Sequence, residues 1–175
     1  MLTPSESGSP VTASELALRT ARQDDLQWIV AAHAQVYAAE FGFDRRFRDG
    51  IAAKMAALQR RPSAFDRIWV GWVNDERAAS IAVSQRPGDI AFLNFVLVLP
   101  RYRGRGAGRA LMETALAHAR AHGSREVQLE TYSCLVDARA LYHRLGFRAT
   151  MVAPGQHAYG QTFDQEFWAL ALQPG

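Results

Sequence analysis

Nine residues, Arg101-Tyr102-Arg103-Gly104-Arg105-Gly106-Ala107-Gly108-Arg109, follow an apolar stretch that ends Val96-Leu97-Val98-Leu99-Pro100. Beyond them Leu111, Met112, Ala115, Leu116 and Ala119 recur at helical spacing. The order is strand, arginine–glycine loop, helix, and it can trap phosphate. The first N–H groups of a helix have no intrahelical partner, and the helix dipole makes that end positive. Glycine lets the backbone approach an anion closely, and arginine suits bidentate phosphate contacts. Two common nucleotide loops do not fit. No Gly-Lys-Ser/Thr follows, and Gly104-x-Gly106-x-Gly108 lacks the dinucleotide spacing.

The spacing Arg103-x-x-Gly106-x-Gly108 after Val98-Leu99-Pro100 resembles the acetyl-CoA loop of the GNAT N-acetyltransferase superfamily. Further on, Ala138-Arg139-Ala140-Leu141-Tyr142-His143-Arg144-Leu145-Gly146-Phe147 resembles the family's tyrosine-bearing helix. A third stretch, Trp28 through His33, Tyr37, Glu40 and Phe41-Gly42-Phe43-Asp44 to Phe47, resembles the GNAT domain of MarR-type regulator fusions.

The resemblance implies acetyl-CoA as co-substrate. It assigns the pyrophosphate to backbone N–H groups of Arg103, Gly104, Arg105, Gly106, Ala107, Gly108 and Arg109. It pairs the pantetheine arm with the open edge of Val96, Leu97 and Val98. Tyr142 takes the place of the tyrosine that protonates the departing thiolate, a role a neutral phenol can fill. Where relatives carry an asparagine that holds the pantetheine, this chain has Leu135, and that contact is not carried over. The residue that deprotonates the acceptor amine is less marked. The long strand offers only Asn94, so Glu130 on the next strand is the first choice. His33, Tyr37 and Glu40 stand at i, i+4 and i+7, on one helix face, and are expected to face the acceptor amine. His157, Tyr159 and Gln161 are expected in a recognition loop. The lone cysteine, Cys134, reads as a packed thiol.

These residues need a frame. Leu16 to Ala21 reads as a strand. A helix follows from Asp24 or Asp25 to the stop at Gly42, and a second from about Asp44 to Gln59. Ile68–Val73 and Ala78–Val83 flank a turn at Asn74-Asp75-Glu76-Arg77, a hairpin pattern. Ile90 to Val98 is the strand entering the glycine loop. The helix after the loop ends near His122-Gly123, Glu126–Thr131 alternates as a strand, and the Tyr142 helix stops at Gly146. Phe147–Val152 and Phe167–Leu172 close the sheet, joined by a long polar loop from Ala153 to Gln165. The expected fold class is therefore α/β: a mixed, mostly antiparallel sheet of six to seven strands flanked by about four helices, in the order β-α-α-β-β-β-α-β-α-β-β. Residues 1–14, rich in Ser, Pro and Thr, read as a disordered tail, and 15–175 as one domain.

Composition fits this frame. The chain has 175 residues, 49% of them hydrophobic and 21% charged, with a net charge of +3. That suits one globular domain with a real core. No apolar run is long enough to span a membrane, and no secretory signal opens the chain, so a cytoplasmic location without membrane contact is expected. One cysteine excludes an internal disulfide framework. No Cys/His spacing suggests a metal site. The slight basic excess sits mainly in the loop, so no nucleic-acid partner is expected. The expected activity is direct acetyl transfer from acetyl-CoA to a primary amine, a small amine or amino acid derivative before a protein amine. The alternative is a GNAT module that binds acyl-CoA or senses a metabolite without turnover. The family commonly forms homodimers, and such a dimer is compatible with the chain.

Overall fold

The computed structural model describes residues 15–174. The tail expected over residues 1–14 lies outside them. One seven-stranded sheet organises the chain, in the order β1-β2-β3-β4-β5-β7-β6. The strands are β1 (Ala17–Thr20), β2 (Arg67–Val73), β3 (Glu76–Arg86), β4 (Ile90–Val98), β5 (Glu126–Tyr132), β6 (Arg148–Ala158) and β7 (Gln161–Ala171). The helices are α1 (Gln23–Phe41), α2 (Arg45–Arg60), α3 (Ala107–Ala121) and α4 (Val136–Arg144). Neighbouring strands are antiparallel except β4 and β5, which are parallel and joined through α3.

Local chemistry explains the boundaries. The Asp25 carboxylate accepts the Arg22 N–H at 2.7 Å and caps α1, and Gly42 ends it at φ 69°. Asp44 caps α2 through the Arg46 N–H at 3.0 Å. The β2–β3 turn is tighter than expected: only Asn74 and Asp75 are outside the ladder, both at positive φ, as a two-residue hairpin turn requires.

Each sheet face carries its own core. One packs α3 and α4 through Leu111, Met112, Ala115, Tyr142 and Phe147. The other packs α1 and α2 through Ile29, Phe43, Phe47, Ile51 and Met55. Burying a side chain such as Leu111 contributes about 1.5–3 kcal/mol, so the pair of faces fixes both helix layers.

Two irregularities in β4 shape the centre. Ladder pairing with β5 covers only Ile90–Phe92 against Glu126–Gln128, and beyond that the strands part. On its other side β4 carries one extra residue, since Ser80 faces Leu97 while Ala82 faces Asn94. This bulge puts Phe95 at φ 52°, and the Ser80 hydroxyl donates to the Phe95 carbonyl at 2.7 Å.

The expected polar loop from Ala153 to Gln165 is a correction. Those residues extend β6 and β7 into a hairpin turning at Tyr159-Gly160. Polar composition suggested a loop, but the two strands stay paired to the turn, with one register shift between Ala153 and Gln156, and the Tyr159 ring docks on Phe43 and Phe47 with centroids 5.3 Å from each.

Candidate active site

The gap between β4 and β5 opens onto two cavities. A groove of about 600 Å³ runs from the gap along Val96, Leu97 and Val98 to the N-terminus of α3. A pocket of about 80 Å³ lies on the other side, between the strands, α1 and α2. Tyr37, Val96, Leu135 and Tyr142 line both. Tyr37 comes from α1 and Tyr142 from α4, on opposite faces of the sheet, so the two phenols meet where the cavities join.

The groove ends at the loop and helix terminus where anion binding is expected from the sequence. Gly106 caps α3 at φ 78°, and the N–H groups of Ala107, Gly108 and Arg109 form the first helical turn, which has no intrahelical acceptor. At Gly108 a Cβ would stand 3.1 Å from Leu141 Cδ2, so any larger residue would require the Leu141 side chain to give way where α3 meets α4. Groove size, free donors and an open strand edge together fit a long ligand with an anionic end and an amide-bearing arm.

Burial tunes the titratable groups at the junction. Tyr142 is 5% exposed, and desolvation pushes its phenol above the ordinary range. Tyr37 is raised as well, first by burial and then by neighbours that include Tyr142. His33 is 2% exposed. Burial lowers its pKa to about 4, although its Nδ1 bonds the Ile29 carbonyl at 2.8 Å. The ring is therefore neutral near pH 7. Glu130 lines the small pocket, and one of its oxygens accepts from Gln165 Nε2. Thr131 contributes to the same wall, but its Oγ1 is fully buried, away from the pocket, and has no hydrogen-bond partner among the described residues.

The comparisons with known proteins bear directly on this arrangement. The model of the acetyltransferase (GNAT) family matches residues 32–147. The chain belongs to the GNAT acetyltransferase family.

This GNAT chain is also 36% identical over 76 residues to a mycothiol acetyltransferase of Corynebacterium glutamicum (strain R), covering 43% of this chain and 26% of that protein. It thus spans about a quarter of that relative's length. Among solved structures, the ribosomal-protein-alanine N-acetyltransferase of Brucella melitensis superposes with a TM-score of 0.73 at 18% identity, covering 89% of this chain and 99% of that one. A Salmonella typhimurium protein solved with its cofactor acetyl-CoA gives 0.72 at 22% identity, covering 92% and 96%. These likenesses establish the shared fold.

The GNAT chain distributes its sequence-marked residues unevenly. Val96, Leu97, Val98, Gly104, Gly106, Ala107, Gly108 and Arg109 all line the groove. Arg105 does not. Arg103 lines it but is engaged otherwise than expected. Its N–H bonds the Pro100 carbonyl at 3.2 Å, its Nε bonds Val98 O at 3.0 Å, and its Nη1 pairs with Glu40 at 2.6 Å. The N–H closes a one-turn 3-10 helix at Pro100–Tyr102, so it cannot also point at an anion.

The trio on α1 is a second correction. His33 lines the pocket, Tyr37 both cavities, and Glu40 only the groove. Helical spacing put them on one face, but α1 crosses the gap lengthwise, so seven residues along it reach from one cavity to the other. Gln161 and Tyr159 dock the hairpin instead of lining the pocket. Gln161 Nε2 donates to the Gly42 carbonyl at 3.2 Å, and the Tyr159 carbonyl accepts the Asp44 N–H at 3.0 Å. The His157 ring bonds the Thr162 hydroxyl at 2.8 Å.

Leu135 fills the junction wall where an amide side chain had been sought. Cys134 is half-buried beside the groove, and burial pushes its thiol up, away from the reactive thiolate. Sequence reasoning passed over Thr131, Tyr132 and Lys54 as pocket residues. Lys54 was detectable: it follows Phe47 and Ile51 at i+7 and i+3 on the pocket-facing side of α2. Among the described residues no group of three or more metal-ligating side chains occurs, and no helix is long and apolar enough to cross a membrane.

Proposed function

We propose that this protein transfers an acetyl group from acetyl-CoA directly to the primary amine of a small molecule. The observation that carries the reading is the junction. A helix terminus with free N–H groups and a small pocket holding Glu130 meet at one gap, with a buried phenol between them.

Acetyl-CoA supplies the acetyl group as a thioester whose sulfur leaves as a thiol. Ala107, Gly108 and Arg109 present N–H groups to the diphosphate. The parted edge of β4, Val96 to Val98, presents main-chain groups to the amides of the arm, as an added strand would use them. In the pocket, the free oxygen of Glu130 takes a proton from the acceptor amine, directly or through water. The amine nitrogen then bonds the acetyl carbon as the carbon–sulfur bond breaks. Tyr142 holds its proton at Oη, aimed at the departing sulfur. Its raised pKa keeps it a donor, and its hydrogen bond strengthens as charge gathers on sulfur. The acceptor enters as an ammonium and loses two protons: the first passes through Glu130 to solvent, and the second leaves the nitrogen once the carbon–nitrogen bond has formed and replaces the one Tyr142 gives to sulfur, so both residues end the turnover as they began.

The test is release of free thiol from acetyl-CoA with a panel of small primary amines, alongside calorimetry with coenzyme A. Saturable coenzyme uptake and amine-dependent thiol release are expected. Uptake without release from any amine would convert the enzyme reading into a binding module. No uptake would remove the groove assignment.

A further inference from the structure

The small pocket carries a charge that acetyl transfer itself does not require. We infer that the acceptor is a small amino carboxylate, and that Lys54 is the residue that selects it. This inference rests on the transferase reading and specifies its acceptor.

Size sets the first limit. The pocket is about 80 Å³, whereas a cavity of about 150 Å³ takes one benzene. Only an amine and its first few carbons fit inside, and the rest of the acceptor lies at the rim. Aromatic rings of Tyr37, Phe47, Phe92 and Tyr132 form the sides.

The polar groups sort by sign. Glu130 keeps one oxygen beyond its bond to Gln165. Asn94 spends its Nδ2 on Ser84 Oγ at 3.2 Å and Phe92 O at 3.4 Å, which leaves its Oδ1. Both offer acceptors, which match the N–H groups of an amine.

Lys54 is the opposite. It is the only lysine in the chain and is exposed on α2 while still lining the pocket. Arg46, Arg77, Arg101, Arg103, Arg109 and Arg139 all have carboxylate partners. Lys54 has none among the described residues. Its charge reaches inward far enough to help lower the His33 pKa. His33 is neutral near pH 7, and Arg86, stacked 3.4 Å over the Phe92 ring, does not line the pocket. Lys54 is therefore the one positive group in the wall.

Acceptors inside and an ammonium at the rim complement a zwitterion. The amine enters toward Glu130, and the carboxylate stays at the mouth against Lys54. A plain alkylammonium meets only repulsion from Lys54, and so does a peptide N-terminus, whose nearest carboxylate is not fixed beside the amine.

The experiment compares L-alanine and β-alanine with L-alaninamide and propylamine, using the full chain, Lys54→Met and Lys54→Arg. Thiol release gives kcat/KM, and calorimetry on protein saturated with coenzyme A gives binding without turnover. The natural chain is expected to favour the carboxylates by about tenfold or more, the worth of one charge-assisted contact. The amine of alaninamide is less basic, so more of it is neutral, and the preference must run against that advantage. Lys54→Met should bring the ratio near one, and Lys54→Arg should keep most of it. Equal handling by the natural chain, or a preference that survives Lys54→Met, overturns the inference while leaving the transferase reading intact. Lys54-dependent carboxylate binding without thiol release keeps Lys54 as the residue that selects the ligand but overturns that ligand as an acetyl acceptor. Neither binding nor release removes both.

Discussion

Tyr142 concentrates the chemistry of the junction in one oxygen. It is buried at the meeting point of groove and pocket, so on the proposed reading its loss acts on the departing sulfur and not on anchoring at the far end of the groove. Tyr142→Phe keeps the packing and removes the donor. Steady-state kinetics should show kcat lowered about 10²-fold with KM for acetyl-CoA little changed. His33 makes a different residue-scale prediction. Its folded pKa of about 4 lies below its ordinary 6.5, so the unfolded chain binds the extra proton first as pH falls. Its share of stability is present above about pH 6.5 and is lost on descending toward 4. The shift is worth up to about 3 kcal/mol. Urea melts across that window should steepen with acid in the natural chain and flatten in His33→Gln.

The loop between β4 and α3 works as an element because its ends are tied. The Arg103 side chain spans from the Val98 carbonyl to Glu40 of α1, and so fastens the loop to a helix that otherwise belongs to the opposite face. Both partners are partly exposed, at 37% and 28% of their side-chain surface. Their direct worth to stability is therefore below about 1 kcal/mol, and their effect is on where the loop sits. Glu40→Gln should raise KM for acetyl-CoA about three- to tenfold, as expected for losing one ionic hydrogen bond, and leave KM for the amine unmoved. A change confined to the amine would return Glu40 to the acceptor side.

At the scale of the molecule, the hairpin of β6 and β7 reaches across the sheet end to the α1–α2 corner. Tyr159 rests among Phe43, Phe47, Tyr132 and Phe163. It does so from a left-handed backbone, φ 56°, so packing outweighs local strain there. Tyr132 and Phe47 also wall the pocket, so a shared ring cluster links the hairpin to the pocket proposed for the acceptor. Tyr159→Ala should lower stability by about 1–3 kcal/mol, less than a fully buried aromatic because the ring is half-exposed. Thermal melts would report that loss, and a raised KM for the amine would report the looser pocket.

Strand and helix order, the glycine loop and the tyrosine helix were legible in the chain itself. Period-two and helical patterns, together with stops such as Gly42 and Gly146, are written in neighbouring residues. The hairpin over Ala153–Gln165 was not legible, because its stability comes from docking on Phe43 and Phe47 and not from its own composition. The three-way use of Arg103 and the division of His33, Tyr37 and Glu40 between two cavities were equally hidden. A side chain's spacing along a helix fixes its face, but which cavity that face meets depends on how the helix crosses the sheet. The sequence by itself determined the family and the glycine loop, since each motif is a contiguous run of residues. Only the tertiary structure decided what lines the acceptor pocket, because Lys54, Asn94, Glu130 and Tyr142 are far apart in the chain and meet only where β4 and β5 part.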